Sequence, residues 1–299
     1  MKKNEKKMAL FSGLLILSVV ISLIRGITQS GSGSYEAGIA NRVLILDLVG
    51  TLSFATARPL MEALEEAESN AGIKAVILNI NSPGGTVGSS QEVYRALMRL
   101  REKGVLIVSC MGDMAASGGY YVASASHEIF ANPGTLTGSI GVIIPGLNFS
   151  ELLKKLGVQS LAIKSGKLKD ALSPFKPVDR EDLAYMQQLV MSSYERFIQD
   201  ILSGRKDKIT EDQLRKVADG RVMTGDQALS AGLIDQIGGI SDAKKFLKDT
   251  LKNPNLQFIA PSKPLFKGMM EELLKNRQDL TLLENLKIPL MYFYGGGMQ

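Results

Sequence analysis

Three apolar runs, separated by stretches with helical spacing, constrain the fold of this chain more than any other feature. The runs are RVLILDLVG at 42–50, IKAVILNI at 73–80 and VLIVSC at 105–110. The stretches between them, 57–72 and 91–104, are amphipathic and end on glycine, as helices often do. Because the runs are continuously apolar rather than alternating, we expect an α/β fold with a parallel sheet covered on both faces.

A glycine-rich turn follows two of these predicted strands. NSPGG at 81–85 follows the second strand, and MAASGG at 114–119 follows the third. Parallel sheets place their sites at the carboxyl ends of strands, and glycine leaves backbone N–H groups open to a ligand. An oxyanion hole could therefore combine Gly84 or Gly85 with Gly118. Neither turn has the GxGxxG or GxxxxGK[ST] spacing of a phosphate-binding loop, so we predict no nucleotide cofactor.

Ser117 stands at the centre of the second turn, between alanines and glycines. With so little bulk around it, its hydroxyl can face open space at a strand-to-helix junction, where free backbone N–H groups stabilise developing negative charge. The same small residues would also suit close packing of a helix on a sheet. The residues alone do not decide between a nucleophile and a packing site.

A serine nucleophile needs a base, and the chain contains one histidine, His127. A helix between the two residues would separate them by about 15 Å, so a Ser-His-Asp triad is not indicated. A lysine is the remaining option, provided that the folded site lowers its pKa from about 10.4 by roughly three units. The segment 161–182 contains four lysines, Lys164, Lys167, Lys169 and Lys176. Composition alone does not select among them.

The N-terminal residues indicate a membrane anchor. Four lysines precede an uncharged apolar run, MALFSGLLILSVVISLI at 8–24, which Arg25 closes. The run would cover about 25 Å as a helix, and neither a small-residue cleavage pattern nor a cysteine for lipid attachment follows it. We therefore expect an uncleaved, single-pass transmembrane helix at 8–25 in the plasma membrane. The positive-inside rule then predicts a cytoplasmic N terminus and an extracytoplasmic catalytic domain.

Charge and cysteine content exclude two classes of function. The net charge of +5 depends largely on the four N-terminal lysines, and no basic stripe interleaved with aromatic residues remains. Nucleic acid is therefore not a predicted partner. The single cysteine, Cys110, excludes an internal disulfide framework and a cysteine-based zinc site, and we predict no metal.

Four motifs in the same order resemble those of a known family. They are INSPGG at 80–85, MAASGGYYVASAS at 114–126, ANPGTLTGSIGVI at 131–143 and IKSGKLKDALSPFKP at 163–177. The chain is similar over about 42–251 to the signal peptide peptidase A family of membrane-bound serine proteases, within the Clp-protease and crotonase superfamily. The resemblance implies a ClpP/crotonase-like fold of repeated ββα units.

The resemblance also implies roles for individual residues. Ser117 matches the nucleophile, and Lys169 of SGKLKD matches the general base. Ser139 of TLTGSIG matches a serine that orients the lysine amine. Gly118, with Gly84 or Gly85, matches the oxyanion hole. This chain corresponds to the short form of the family, in which a neighbouring subunit would complete each site, and so a ring-shaped homo-oligomer is expected.

The predicted organisation has five parts. They are a cytoplasmic basic segment at 1–7, the transmembrane anchor at 8–25, a flexible Gly/Ser-rich linker at 26–41, the protease domain at 42–251, and a C-terminal helix and apolar tail at 252–299. The apolar part of the tail could dock on another subunit, lie in a substrate groove or contact the membrane.

The function predicted from the sequence is that of a membrane-anchored serine endopeptidase. Its Ser/Lys dyad would degrade apolar peptides such as signal-peptide remnants, with no cofactor. Two alternatives remain open. One is a crotonase-like acyl-CoA enzyme, in which the glycine turns polarise a thioester, and the other is a non-catalytic oligomeric scaffold at the membrane.

Overall fold

The described part of the chain comprises residues 41–261 and the backbone of 291–293, in a computed structural model. The predicted transmembrane anchor, the predicted linker up to residue 40 and the predicted helix beyond residue 261 lie outside the described residues. Within 41–261, no helix combines the length and apolar character that crossing a membrane requires.

Strands and helices alternate along the described chain. The first part contains β1 (Arg42–Val49), α1 (Phe54–Ser69), β2 (Ile73–Ser82), β3 (Gly84–Thr86), α2 (Val87–Glu102), β4 (Leu106–Ala116) and α3 (Gly118–Ala123). The middle part contains β5 (Glu128–Ala131), β6 (Leu136–Gly138), α4 (Ser150–Lys155), a 3-10 turn (Lys167–Asp170) and α5 (Arg180–Gly204). The last part contains α6 (Glu211–Val217), β7 (Val222–Met223), α7 (Gly225–Ser230), β8 (Gln236–Ile237), α8 (Ile240–Thr250), β9 (Gln257–Ile259) and β10 (Met291–Phe293).

The three apolar runs form β1, β2 and β4, which confirms the predicted α/β class. The first helix begins at Phe54 rather than at the predicted residue 57 because a capping box precedes it. The N–H of Ser53 donates to Oγ1 of Thr56 at 2.8 Å, and the N–H of Thr56 donates to Oγ of Ser53 at 3.4 Å. These two bonds satisfy helix-end donors that a pattern of apolar residues does not reveal.

The main sheet is parallel except at one edge. Its order is β7-β6-β4-β2-β1-β9, and β5 pairs with both β4 and β8. Only the short β6–β7 pair is antiparallel among the described pairs of this sheet. The first half of β4 pairs with β5 and the second half with β6, so two strands share one edge of β4. The edge strand β9 was not predicted from the sequence.

The sheet is buried on both faces, as continuous apolar strands predict. Val76 and Leu78 of β2 pack in a cluster that includes residues of α1 and α2, whereas Ile77 packs in a second cluster with Leu247 of α8. Cys110 belongs to the second cluster, where burial raises the pKa of its thiol to about 12. This cysteine is therefore a neutral core side chain.

The long helix α5 fixes α3, the short helix that begins at Gly118. All residues of α3 are buried. The ring of Tyr121 lies 4.5 Å from the ring of Phe197, measured between centroids, and its hydroxyl donates to the carboxylate of Asp200. The hydroxyl of the preceding Tyr120 donates to a backbone carbonyl at 2.9 Å. These contacts hold α3 in place against the sheet.

A buried ion-pair network joins the end of α5 to β5 and β8. Arg205, 1% exposed, donates to the two carboxylate oxygens of Asp235 at 2.6 and 2.9 Å. Lys208 donates to Asp235 at 2.8 Å and to Glu128 at 3.0 Å. Burial alone would raise the pKa of Asp235, but its hydrogen bonds from Arg205 and Lys208 outweigh that effect and hold the pKa below its ordinary value.

Replacing Asp235 by Asn should lower the free energy of unfolding by about 3–5 kcal/mol, because the buried guanidinium of Arg205 loses its counter-charge. Urea denaturation followed by circular dichroism measures the effect. Glu195→Gln is the matched control, since it removes an exposed partner of Arg215 and should cost no more than about 1 kcal/mol. Equal losses in the two variants would contradict the assignment of the network to the core.

The stability that Asp235 provides should depend on pH in one direction. Its folded-state pKa lies below the unfolded value of about 3.9, so the contribution is fully present above that value and is lost as the pH falls through the folded-state pKa. The difference in unfolding free energy between the wild type and Asp235→Asn should therefore be constant above about pH 5 and shrink below about pH 4. A difference that grows on acidification would show that the carboxylate is not stabilised in the folded state.

Candidate active site

Ser117 connects the end of β4 to the start of α3 in a strained backbone conformation, with φ 53° and ψ −116°. A non-glycine residue adopts such angles at a cost of about 1–3 kcal/mol. Its N–H donates to the carbonyl oxygen of Gly138 on β6 at 2.8 Å, which continues the parallel β4–β6 ladder. The ladder thus holds the serine in a conformation of the kind that clusters at active sites.

The hydroxyl of Ser117 is buried and has no hydrogen-bond partner within the described part of the chain. Leaving a buried hydroxyl unsatisfied costs about 1–3 kcal/mol. If position 117 served only close packing, an alanine there would pack as well and would avoid that cost. The orphaned hydroxyl therefore favours the nucleophile over the packing site that the sequence left open.

The pairing of β4 with β6 brings Ser139 beside Ser117. Ala116 is opposite Gly138, so the two serines directly follow paired residues. Ser139 is 5% exposed and has a φ of 51°, and only four non-glycine residues of the described chain have a positive φ. Its N–H donates to the carbonyl oxygen of Arg221 at 2.7 Å. Arg221 was not predicted as part of the site, because this contact joins residues that are distant along the chain.

The two glycine turns predicted to form an oxyanion hole are in contact. A Cβ atom at position 118 would come within 3.1 Å of the backbone nitrogen of Gly85 and 2.6 Å of Oγ of Ser90. Any side chain at Gly118 would therefore require Ser90 and the first turn to shift. Ser90, on α2, supports this contact and was not predicted from the sequence.

The two glycines of the first turn differ in what their N–H groups face. The N–H of Gly84 donates to Oγ of Ser82 at 3.1 Å. On the inner edge of β3, the N–H of Leu52 donates to the carbonyl of Gly84 at 2.7 Å, and the N–H of Thr86 donates to the carbonyl of Leu52 at 2.8 Å. Because successive residues of a strand present their backbone groups to opposite edges, the N–H of Gly85 faces the outer edge.

Lys169 lies in the exposed 3-10 turn. Within residues 41–261 its ammonium group takes part in no hydrogen bond or ion pair, unlike those of the three neighbouring lysines. These pair as follows: Lys164 with Asp170, Lys167 with Glu181, and Lys176 with Asp170 and Asp182. Among the described residues, Lys169 is thus the lysine of this segment that forms no ion pair with a carboxylate.

The acidic partners make two of the other lysines poorer bases. The hydrogen bond to Glu181 raises the pKa of Lys167 above its ordinary value. The carboxylate of Asp182, followed by that of Asp170, does the same to the pKa of Lys176. A general base at neutral pH needs a pKa shift in the opposite direction.

Within one chain, the structure does not join Ser117 to Lys169 by a hydrogen bond. The serine is fully buried, and the lysine is exposed. The described residues thus bring together Ser117, Ser139 and the glycine turns, but leave the predicted base outside this group.

His127 is engaged at the opposite end of β4 from Ser117. Its Nδ1 accepts a hydrogen bond from the N–H of Ile107 at 3.0 Å, and burial lowers its pKa. At about 3.3 Å per residue, the length of β4 separates this end of the strand from Ser117 by roughly 30 Å along the chain. As expected, His127 does not form a triad with the serine.

Comparison with known proteins assigns the chain to a family. The sequence pattern of peptidase family S49 matches residues 99–253, and that of Clp protease matches residues 34–135. A candidate signal peptide peptidase SppA of Enterococcus faecium is 35% identical over 272 residues, covering 80% of this chain and 78% of that protein. Protease 4 of Salmonella typhi is 37% identical over 180 residues, covering 60% of this chain and 29% of that protein. The chloroplastic serine protease SPPA of Arabidopsis thaliana is 35% identical over 199 residues, covering 66% of this chain and 29% of that protein.

The two family matches cover the site described above. The S49 match extends over more than half of the chain and includes Ser117, Ser139 and Lys169, and the Clp-protease match includes both glycine turns. The chain therefore belongs to peptidase family S49 and is a serine peptidase of the signal peptide peptidase A type.

Proposed function

We propose that this peptidase is a membrane-anchored endopeptidase that uses a dyad of Ser117 and Lys169 to degrade apolar peptides such as signal-peptide remnants. The observation that carries the proposal is the buried, unpartnered hydroxyl of Ser117, held in a strained turn beside two glycine turns. A hydroxyl presented in this way needs a base, and His127 is engaged elsewhere.

In the first step, Oγ of Ser117 attacks the carbonyl carbon of the scissile peptide bond while its proton passes to the neutral amine of Lys169. The C–N bond then breaks, and Lys169 gives the proton to the departing amine. Water hydrolyses the resulting ester by the same route, which releases a carboxylate and restores the serine. The hydroxyl of Ser139, which follows the residue paired with Ala116, is assigned to orient the lysine amine.

The oxyanion of the tetrahedral intermediate is assigned to the N–H groups of Gly85 and Gly118. Two observations support Gly85 over Gly84. The N–H of Gly84 already donates to Ser82, and the N–H of Gly85 faces the outer edge of β3. The near contact between positions 85 and 118 lets both donors converge on one oxygen.

Lys169 is the proposed base, as the resemblance implies, because it is the one lysine of its segment without an acidic partner among the described residues. A lysine acts as a base near pH 7 only where desolvation favours its neutral form. An exposed position in a single chain does not supply that desolvation.

A neighbouring subunit would supply it, and we therefore assign Lys169 of one subunit to the serine of the next in a ring-shaped homo-oligomer. The longer stretch 147–178, which contains Lys169, exposes many large apolar side chains, and Ile163 reaches 97% exposure. They are Leu147, Phe149, Leu152, Leu156, Val158, Leu161, Ile163, Leu172, Phe175 and Val178. Burying them on a second copy would remove both the apolar surface and the water around the lysine.

The proposed location follows from the N-terminal sequence. The apolar run at 8–24, preceded by four lysines, suits a single span with a cytoplasmic N terminus. The catalytic domain would then lie on the extracytoplasmic side of the plasma membrane, where apolar peptides released from that membrane would reach it.

Ser117→Ala and Lys169→Ala should each reduce cleavage of an apolar fluorogenic peptide by at least about a thousandfold, because each removes half of the dyad. Lys167→Ala is the matched control, since it lies two residues from Lys169 and its one ion pair within residues 41–261 is with the exposed Glu181. Its activity should stay within a few-fold of the wild type.

A fluorophosphonate probe should label the wild type but not Ser117→Ala. Undiminished cleavage by Lys169→Ala would contradict the proposed base, and absence of labelling would favour the scaffold alternative.

Mixing the two inactive variants tests whether the dyad is shared between subunits. If Ser117 of one subunit uses Lys169 of the next, randomly mixed rings contain about a quarter of intact sites and recover about that fraction of activity. The variants are co-refolded or co-expressed, and cleavage is compared with that of each variant alone. No recovery in rings shown to be mixed would place both residues in one chain.

A further inference from the structure

The 3-10 turn Lys167–Asp170, which carries Lys169, is held through its last residue. The carboxylate of Asp170 accepts a hydrogen bond from Nζ of Lys164 at 2.5 Å and another from Nζ of Lys176 at 3.0 Å. Lys164 also donates to the backbone carbonyl of Lys167 at 3.0 Å. The hydrogen bond from Lys164, followed by that from Lys176, holds the pKa of Asp170 below its ordinary value. The residue next to Lys169 is therefore an ionised carboxylate between two ammonium groups.

Lys176 also reaches a second carboxylate, which belongs to α5. Its ammonium group forms an ion pair with Asp182, in the first turn of that helix. Asp182 is buried, and within residues 41–261 this is the one ion pair that it forms. A single ammonium group thus bridges the turn that carries Lys169 and the start of α5.

The buried carboxylate of Asp182 lies apart from the part of α5 that packs in the core. No residue between Asp182 and Phe197 is buried, and the two are about 22 Å apart along the helix axis. Phe197 is where α5 contacts α3, the helix that follows the nucleophile. Because a buried charge without a counter-charge is strongly unfavourable, Asp182 holds Lys176 firmly at the far part of α5.

A second ion pair joins the same turn to the same helix, but it is exposed. Lys167 pairs with Glu181, and their side chains are 62% and 56% exposed. The corresponding values for Lys176 and Asp182 are 24% and 5%. Exposed pairs contribute little to holding two elements together, because water and salt screen them. Of the two connections, the one through Lys176 is therefore the one that can fix the turn.

We propose that Lys176 is a positioning residue for the base: by bridging Asp170 and Asp182, it fixes the turn that carries Lys169 on α5. The inference rests on the proposed function, since it requires Lys169 as the base. Lys176 itself exchanges no proton with the substrate. Its part is to restrict where the neighbouring amine can lie, and a displacement of about 1 Å in a reacting group can cost on the order of a hundredfold in rate.

Lys176→Met removes the charge and keeps an unbranched side chain. In the full chain it should lower kcat for an external apolar peptide at least about tenfold, because the base is no longer held in place. KM should stay within about twofold, since Lys176 takes part in no described hydrogen bond or ion pair of the glycine turns. Lys176→Arg should recover most of the lost kcat, because a guanidinium group can also bridge two carboxylates.

The matched control is Lys167→Met, which removes the exposed connection between the same two elements. Its kcat should stay within about twofold of the wild type. All rates are counted per serine labelled at completion by a fluorophosphonate probe, so that an unfolded fraction does not lower kcat. An unchanged kcat in Lys176→Met, even with a lower melting temperature, would reduce the residue to a structural role and overturn the inference. Equal losses in Lys167→Met and Lys176→Met would overturn it as well.

Asp170→Ala gives an independent test, because it breaks the bridge and leaves Asp182 paired with Lys176. Its kcat should also fall at least about tenfold. Adding Lys176→Met to Asp170→Ala should then lower kcat no more than a further few-fold, since residues that act through one connection are not additive. A double variant whose loss equals the product of the two single losses would contradict a common bridge.

Lys169→Ala, assayed beside these variants, separates the inference from the proposed function. If Lys169→Ala is inactive while Lys176→Met and Asp170→Ala keep the wild-type kcat, the positioning role is overturned and the proposed base stands. If Lys169→Ala keeps its activity, both are overturned.

Discussion

The short parallel pairing of β4 with β6 is the constraint on which the site depends. It ends at Ala116 and Gly138, and the N–H of Ser117 adds one more hydrogen bond to it. Both strands then turn through positive φ, so Ser117 and Ser139 leave the sheet side by side. The hydroxyl of Thr137, which donates to the carbonyl of Ala115 at 2.7 Å, ties the same two strands together. A shift of one residue in the register of this pairing would separate the two serines. It would also turn the side chains of β6 to the opposite face of the sheet.

Packing around this pairing stabilises a conformation that is costly by itself. A strained serine with an unsatisfied hydroxyl lowers stability by a few kcal/mol, on the order of what burying one or two large apolar side chains contributes. Tyr120, Tyr121 and Phe197 are fully buried, and the contact of Tyr121 with Phe197 anchors α3 against α5. The core therefore opposes relaxation of the nucleophile into an ordinary helix start.

Much of the fold could be predicted from the sequence because its signals are local. Continuous apolar runs gave β1, β2 and β4, and glycines marked the turns at the carboxyl edge of the sheet. Non-local contacts gave no such signal. The capping box at Ser53 shifted a helix start, and β9 joins β1 from the far end of the chain. The ion pair of Arg205 with Asp235 likewise joins residues that no short pattern connects.

The candidate site shows the same division between local and non-local information. Ser117 and the glycine turns stand out by their small neighbours, whereas the proximity of Ser139 depends on strand pairing. The choice of Lys169 came from a resemblance, because four lysines in one segment are equivalent by composition. The structure separates them by their partners: within residues 41–261, three form ion pairs with carboxylates and Lys169 does not. In a single chain the serine is buried and that lysine is exposed, so the proposed dyad requires the proposed assembly.

The inner edge of β3 has a consequence for what this peptidase can select. A Cβ atom at Gly85 would overlap the carbonyl oxygen of Leu52, at 1.9 Å. Leu52 therefore occupies one edge of this three-residue strand, and the backbone groups of the other edge remain available to a partner strand. A partner strand must arrive extended, with its own amides free. Apolar membrane segments are helical in lipid because each amide is satisfied within the helix. For the proposed membrane-derived substrates, helix unwinding would thus precede cleavage, and the ease with which a segment gives up its internal hydrogen bonds would rank substrates before any side-chain preference.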